Sequence, residues 1–589
     1  MRMRMTAFAA LLLAGCGTTN LNISPGTGSG GGSGSGSGPV PVKIIAFNDF
    51  HGQLEPGNLS VEAPLPNGER VQIPVGGAAY LASAVRDLKS RNPNTVVVSA
   101  GDLISASPLV SSLFLDEPTV SAMNLIELDI NAVGNHEFDR GPDELLRMQN
   151  GGCAKHTDRT PCRVEPFKGA DFQFLAANVI TRDGNTLFPP YSIKRFGTGA
   201  DEVRIGFIGM TLESTSSLVI PTSVASLEFR SEAETANALV PKLKAEGADT
   251  IVLVIHEGAR VPEGFNQEGC GAISGAILPI AEKLDPAIEI VVSGHTHNAY
   301  VCELPRGDAP PLLLTSAGKS GTLLTDIDIK IDPTSGRLMS KRALNLPVQS
   351  RPFEAKGRTV DISPAFPHFA PEPRVESLVA RYAEAAKQEA ERVVGRLTAP
   401  ITEEESAAGE QALGNLIADG QLYAVKGAAE ISFTSGSGIR ADLVPAADGT
   451  IRFGDLYAAQ PFGNELVIKT MTGAQIRRLL EQQFTLPAGV KILSPSEGFH
   501  FAYDASRPAG AKIIEASLNG EPLQDERRYR VVTNSFLAAG GDDFTLFTEG
   551  TDAVAAMPDI DATEAYLAAR SPVSPPAMGR VRRIDTANR

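Results

Sequence analysis

From Val40 onward the chain alternates short β-branched runs with stretches of helical periodicity. Lys43–Phe47, Thr95–Ser99, Ile130–Val133, Phe172–Ala176, Val203–Ile208, Thr250–Ile255 and Glu289–Ser293 read as strands. Between several of them lie helix-like segments such as Gly77–Lys89 and Ala233–Glu246. This alternation predicts an α/β layered domain over residues 40–350. A proline-rich stretch follows and predicts an extended connection, after which Arg374–Gly395 reads as one charged helix closed by its glycine, so 351–396 form a connector. Residues 397–589 read as a second α/β unit, with strands at Glu430–Phe433, Glu465–Thr470 and Tyr529–Thr533 and helices at Leu413–Val425 and Gly473–Gln483. No internal repeat is visible.

The first residues follow another pattern. Arg2 and Arg4 precede the short apolar run Ala7–Ala14, too short to span a bilayer, which reads as an export signal over residues 1–15. Leu13-Ala14-Gly15-Cys16 resembles a bacterial lipobox, which implies lipidation of Cys16 and a membrane anchor. Gly17 in place of Asp extends the resemblance to sorting toward the outer membrane, facing periplasm or cell surface. Residues 24–38 are almost wholly Gly and Ser, so 16–39 form a flexible tether.

Composition narrows the classes. With 589 residues, 42% hydrophobic and 21% charged, the chain is not collagen-like, a coiled coil or largely disordered. A net charge of −16 argues against a nucleic-acid polymer as partner, which needs a basic face. Apart from Cys16, four cysteines remain of the five, an even number in an exported chain. That points to disulfides Cys153–Cys162 and Cys270–Cys302; a cysteine metal site is the alternative, but there is no CxxC pair.

Five of the eight histidines fall directly after the apolar runs. Asp49 and His51 follow the first run, Asp102 the second, Asn135 and His136 the third, and His256 the sixth; His295 and His297 follow the seventh. Ligands bind at the carboxyl ends of strands in α/β sheets, so these segments can converge on one rim. A lone His after a strand is more often structural, but five such segments in this order share no structural explanation. Mixed nitrogen and oxygen donors suit Zn, Mn, Co or Fe. Two such ions roughly 3.5–4 Å apart can clamp a phosphoryl group and acidify a bridging water. His136 would face the substrate as acid or charge stabiliser, with Asp139 to orient it.

The order Asp-x-His, Gly-Asp, Gly-Asn-His-Glu, His, Gly-His-x-His resembles the calcineurin-type metallophosphoesterases. Asn48-Asp49-Phe50-His51-Gly52 and Gly134-Asn135-His136-Glu137-Phe138-Asp139 are closer still to the bacterial 5′-nucleotidase/UDP-sugar hydrolase family. The resemblance implies a four-layer α/β/β/α metallophosphoesterase domain, a linker helix and a C-terminal α/β substrate-binding domain. It also implies two divalent ions, one taking Asp49, His51, Asp102 and His297, the other Asp102, Asn135, His256 and His295.

Three C-terminal segments extend the match. Ser435-Gly436-Ser437-Gly438-Ile439-Arg440 resembles a Gly-Gly-Ile-Arg loop, Pro461-Phe462-Gly463-Asn464 a Pro-Phe-Gly-Asn turn, and Asn534–Asp542 a Phe-to-Gly-Gly-Asp segment. Phe462 and Phe536 could sandwich a base, at about 1–3 kcal/mol per stacked base. Asn464 could read a base edge, Asp542 accept from ribose hydroxyls and Arg440 pair with phosphate. Family members can carry Arg just before the helix at 412; here 401–411 reads ITEEESAAGEQ, with Glu403, Glu404, Glu405 and Glu410.

The expected activity is hydrolysis of nucleoside 5′-monophosphates, with di- and triphosphates as further candidates, by an exported, monomeric, lipid-anchored enzyme. UDP-sugar hydrolysis and 2′,3′-cyclic-nucleotide phosphodiester hydrolysis use the same motifs. Thiosulfate-ester hydrolysis would have less use for two Phe faces, and a non-catalytic nucleotide receptor would have lost ligands.

Overall fold

Runs such as Val42–Phe47 are buried along their whole length, so each needs apolar partners on both faces, and two stacked sheets with helices outside supply them. The computed structural model describes residues 38–584 apart from 66–68, 158, 262–264, 267–269, 356–357 and 488. The export signal, Cys16 and the tether up to residue 37 lie outside the described residues. No described helix is long and apolar enough to cross a membrane.

The first sheet runs Leu338–Pro347, Leu323–Ile331, Val40–Phe47, Thr95–Ser99, Ile130–Ala132, Gln173–Leu175. Its last four strands are parallel and its first two are joined antiparallel. The second runs Ala299–Arg306, Ala309–Ala317, Ile288–Ser293, Thr250–His256, Val203–Thr211, Tyr191–Phe196, parallel in the middle and antiparallel at both edges. Val42, Ile44 and Ala46 point into the space between the sheets, against Ile205, Val252 and Ile290. Ile45 and Phe47 point the other way, to the helices Ala78–Arg91 and Glu117–Ile126. Beyond the second sheet, Leu253 and Ile255 pack on the helices Glu232–Ala245 and Ile277–Lys283. The layers are therefore α/β/β/α.

The antiparallel strands between Ala299 and Pro347 escape the sequence pattern. Leu338–Pro347 alternates half-exposed residues on an edge, so it shows no continuous apolar run.

The connector differs from expectation in two respects. Phe353–Ala355 pairs with Arg358–Val360 inside the proline-rich stretch, and Gln349 Nε2 donates to the carbonyls of Ser363, Phe366 and Pro367, so that stretch is pinned to the body. The helix spans Pro373–Ala390 and is not closed by Gly395. Gly395 lies in the strand Val393–Arg396, paired with Thr450–Arg452, where a Cβ would stand 2.9 Å from Leu567 Cβ. Its lack of a side chain serves strand-on-helix packing rather than a cap.

The C-terminal half has a five-stranded sheet, Ser494–Pro495, Ile431–Thr434, Arg528–Asn534, Glu465–Thr472, Thr551–Pro558, and a four-stranded one that includes Phe499–Tyr503 and Ile513–Leu518. The helices Ala412–Ala424 and Asp559–Arg570 cover the first sheet. Leu109 of the N-terminal half is buried in the C-terminal core with Leu397, Leu413 and Leu456, so the halves share apolar packing. Disulfides Cys153–Cys162 and Cys270–Cys302 are formed, each with Cα atoms 5.6 Å apart.

Candidate active site

Parallel strands end on a common rim, and five strand ends of the N-terminal half deliver the polar residues there. Their backbone is unusual: Asp49, His51, Asp102, His295 and His297 all have φ between 47° and 66°, a region costly for residues with a Cβ. Turning immediately after the strand in this way aims each side chain back over the sheet ends. Gly101 and Gly134 make room, since a Cβ on Gly134 would stand 2.2 Å from Asp102 Oδ1.

The donors gather in two groups, Asp49 with His51 and His297, and Asp102 with His256 and His295, the offered atoms of each lying within 4.8 Å of one another. Asp102 Oδ2 is 3.0 Å from His256 Nε2 and 3.7 Å from His51 Nε2, between the groups. His297 Nε2 is 3.3 Å from Asp49 Oδ1 and 3.2 Å from His51 Nε2. Backbone carbonyls fix two ring orientations: Ser105 O at 3.0 Å from His51 Nδ1 and Ala100 O at 2.7 Å from His256 Nδ1, which leaves both Nε2 atoms facing inward. Asp49 Oδ1 and Asn135 Oδ1 are buried and accept no hydrogen bond among the described residues. Buried polar atoms without partners are rare, and Asn135 lines the same cavity as Asp102, His295 and His297. This donor set fits a pair of divalent cations.

Electrostatics agree. Burial would raise the Asp102 and Asp49 carboxyls, but the neighbouring imidazoles hold both below the usual range, Asp102 well below it. Burial likewise opposes protonation of His256, yet Asp102 outweighs it and lifts that ring to about 10, whereas burial takes His51 and His295 down to about 3. The carboxylates demand positive charge, and the rings of His51 and His295 do not supply it as protons.

Glu137 carries a role that its place in the motif does not announce. Its carboxylate accepts from the amides of Asp102 (2.9 Å), Leu103 (2.8 Å) and Gly134 (2.7 Å), tying two donor loops together. Burial and the adjacent Asp102 push it up to about 7. Asn48 similarly bridges Asp49 Oδ2 (2.6 Å) to Gly318 O (2.6 Å) and Ala317 N (2.7 Å).

His136 stands beside the first donor group, its ring 5.2 Å from that of His51 and its Nδ1 2.8 Å from Asp139 Oδ2. Burial lowers its proton affinity, but Asp139 and Asp102 more than offset this and leave it raised. On its other side the C-terminal half arrives: Arg440 Nη2 is 2.9 Å from His136 Nε2, and Phe462 stacks on the imidazole at 5.7 Å. A cavity of about 550 Å³ runs from Asp102, Asn135, His295 and His297 past Arg440 to Phe462, Asn464, Phe536 and Asp542. The structure thus brings every expected metal and substrate residue to one place, Asp49, His51 and His256 lying behind the cavity wall.

Two details depart from the sequence reading. Asp542 already accepts from Ser435 Oγ at 2.9 Å, from Ser437 Oγ and from Lys491 Nζ at 2.6 Å. Glu410 is buried and accepts from Gly579 N (2.7 Å), Arg580 N (3.0 Å) and Asn415 Nδ2 (2.8 Å), so it organises the second unit's core, while Glu404 and Glu405 are exposed. His156, His368 and His500 are exposed and take no part in the site.

A two-sheet sandwich with paired groups of carboxylate and imidazole donors at its strand ends defines a metallophosphoesterase. Residues 42–299 match the family model of calcineurin-like phosphoesterase, and residues 393–549 match that of the 5′-nucleotidase C-terminal domain. The chain belongs to the calcineurin-like phosphoesterases that carry a C-terminal 5′-nucleotidase domain, a family that implies divalent metal ions. It is 28% identical over 553 residues to Endonuclease YhcR of Bacillus subtilis, covering 93% of this chain and 41% of that protein. It is 29% identical over 556 residues to Cell wall protein Lmo0130 of Listeria monocytogenes, covering 89% of this chain and 66% of that one. The chain therefore spans less than two thirds of the length of either relative. Among solved structures it resembles the 5′-nucleotidase precursor from Thermus thermophilus, with a TM-score of 0.71, 25% identity, and coverage of 92% of this chain and 99% of that one.

Proposed function

We propose that the chain hydrolyses nucleoside 5′-monophosphates to nucleoside and phosphate, with the N-terminal half performing the chemistry and the C-terminal half holding the base. One observation carries this reading: a single cavity joins the paired donor groups to Phe462, Asn464 and Phe536 of the other half. Two divalent ions, Zn, Mn, Co or Fe, would be held by Asp49, His51, Asp102 and His297, and by Asp102, Asn135, His256 and His295. When bound they would supply charge to the phosphoryl oxygens and lower the pKa of a water.

The chain's own groups do the rest. Arg440, whose Nε is buried without a partner among the described residues, is placed to turn from His136 Nε2 to a phosphate oxygen. That movement frees His136 Nε2 to carry a proton and meet the oxygen on which charge develops, with Asp139 holding Nδ1. The Phe462 and Phe536 faces would stack a base without reading it closely, and Asn464 would meet its edge. Residues 40–350 and 397–589 would be the two moving bodies and the helix near 374–390 the hinge.

Export and a lipid anchor at Cys16 are part of the same proposal. The Listeria relative, named a cell wall protein, supports a place outside the cytoplasm. The test is one panel of 5′-AMP, ATP, UDP-glucose, 2′,3′-cyclic AMP and bis-p-nitrophenyl phosphate, each with Zn, Mn, Co and Ca. Preferred release of phosphate from 5′-AMP is expected. Preference for UDP-glucose or a diester would replace this substrate assignment, and failure on every phosphoester would refute the activity.

A further inference from the structure

We propose that Lys491 makes the sugar end of the cavity a receptor for a second anionic group, a phosphate on the 2′ or 3′ oxygen of the ribose; this rests on the nucleoside reading above. The carboxylate expected to take ribose hydroxyls is already occupied. Asp542 is 3% exposed, with two serine hydroxyls on Oδ2 and Lys491 Nζ at 2.6 Å on Oδ1. What an incoming sugar meets at this end is therefore the ammonium. Lys491 lines the cavity and its side chain is 26% exposed. An ammonium carries three N–H donors, and Asp542 takes one, leaving two for a ligand.

Its position is built rather than incidental. Lys491 N donates to Gln483 O (3.1 Å) and Leu493 N to Gln483 Oε1 (3.1 Å), so one glutamine clamps the segment on both sides of Ile492. Phe536 packs on Gly541, whose Cβ position is 2.4 Å from the ring, which sets the Lys491–Asp542 pair beside a base-stacking face. Arg440 is engaged with His136 and Arg260 also lines the cavity, so Lys491 is one of three cationic side chains along it. A cation beside the base-stacking face, additional to Arg440, suits a nucleoside that carries a second phosphate on its ribose. The bland reading is that Lys491 only neutralises Asp542, and the experiment separates the two.

Binding of adenosine, adenosine 2′-phosphate and adenosine 3′-phosphate to the metal-loaded full chain is measured by calorimetry; none carries a 5′-phosphate. At least one monophosphate should bind about tenfold or more tighter than adenosine, the scale of a hydrogen bond between charged groups. Lys491→Met should bring the three affinities together, and Lys491→Arg should keep them apart. Equal binding by the wild-type chain overturns the proposal and leaves the nucleoside pocket standing. A gap that persists in Lys491→Met places the phosphate elsewhere in the cavity, at the ion groups or at Arg260 or Arg440, and also overturns it. If adenosine itself does not bind, the nucleoside reading fails and this proposal falls with it. Should Lys491→Met not fold, Lys491→Gln, which also removes the charge, takes its place.

Discussion

Arg440 Nη2 and His136 Nε2 lie 2.9 Å apart although 304 residues separate them in sequence and they come from different halves of the molecule. A guanidinium only donates, so His136 Nε2 accepts and the ring's proton sits on Nδ1, shared with Asp139. Phe462 lies under both groups, 5.7 Å from the imidazole and 5.1 Å from the guanidinium carbon. The contact therefore sets the cation and the aromatic face of the C-terminal half directly against the proposed proton donor.

His136→Ala should lower kcat by about 100-fold or more, the usual range for losing a general acid, while leaving bound metal unchanged. Asp139→Asn should cost less, about tenfold, because it removes only the orientation of Nδ1. Steady-state kinetics paired with metal analysis of each variant decide this, and full activity in His136→Ala would sink the role.

Arg440→Met should raise KM for 5′-AMP more than it lowers kcat, with kcat/KM falling by about 100-fold, the scale of a lost two-pronged phosphate contact. Arg440→Lys should recover only part, because an ammonium cannot span two oxygens in one plane. Equal loss with an uncharged nucleoside inhibitor would show instead that Arg440 holds the halves together.

Glu137→Gln tests the tie between donor loops. The carboxylate accepts from three amides, of Asp102, Leu103 and Gly134, and a carboxamide offers one acceptor oxygen where there were two. Metal affinity should fall by about 10–100-fold, as for other residues that position ligands. Chelator competition on the purified variant measures it, and chelation of the wild-type chain should abolish hydrolysis reversibly.

The strand-end histidines were legible because chemistry-bearing residues directly after β-branched runs break an otherwise apolar text. The α/β core was legible for the same reason: Thr95–Ser99 and Val203–Thr211 are buried on both faces and leave no polar alternation. Edge strands such as Leu338–Pro347 were not, because half their positions face water. Glu137 and Lys491 escaped because their roles come from what meets them in space, three amides in one case and Asp542 in the other. Gly395 misled, since a glycine after a helical run reads as a cap, whereas the close approach of Leu567 is the constraint.

Asp559 provides the pH test. Its carboxyl is buried at the start of the helix Asp559–Arg570, one oxygen lacks a hydrogen-bond partner among the described residues, and burial pushes it up to about 7 from 3.8. A backbone amide at Ile560 and the Asn464 side chain act in the opposite direction without cancelling this. Between those two values the folded chain holds a proton that the unfolded chain has released. Stability from this group is therefore complete below about pH 4 and falls as pH rises to about 7, after which it is constant. The full loss is on the order of 4 kcal/mol, from roughly three pH units at about 1.4 kcal/mol each. Asp559→Asn keeps the shape and cannot ionise, so its denaturant midpoint should decline less than the wild type's across that window. Because the Asn464 side chain hydrogen-bonds the Asp559 carboxyl, the same change also tests whether the base-reading turn depends on this buried group. Parallel pH profiles of stability for the two chains would show that Asp559 stays ionised in the folded protein and overturn the assignment.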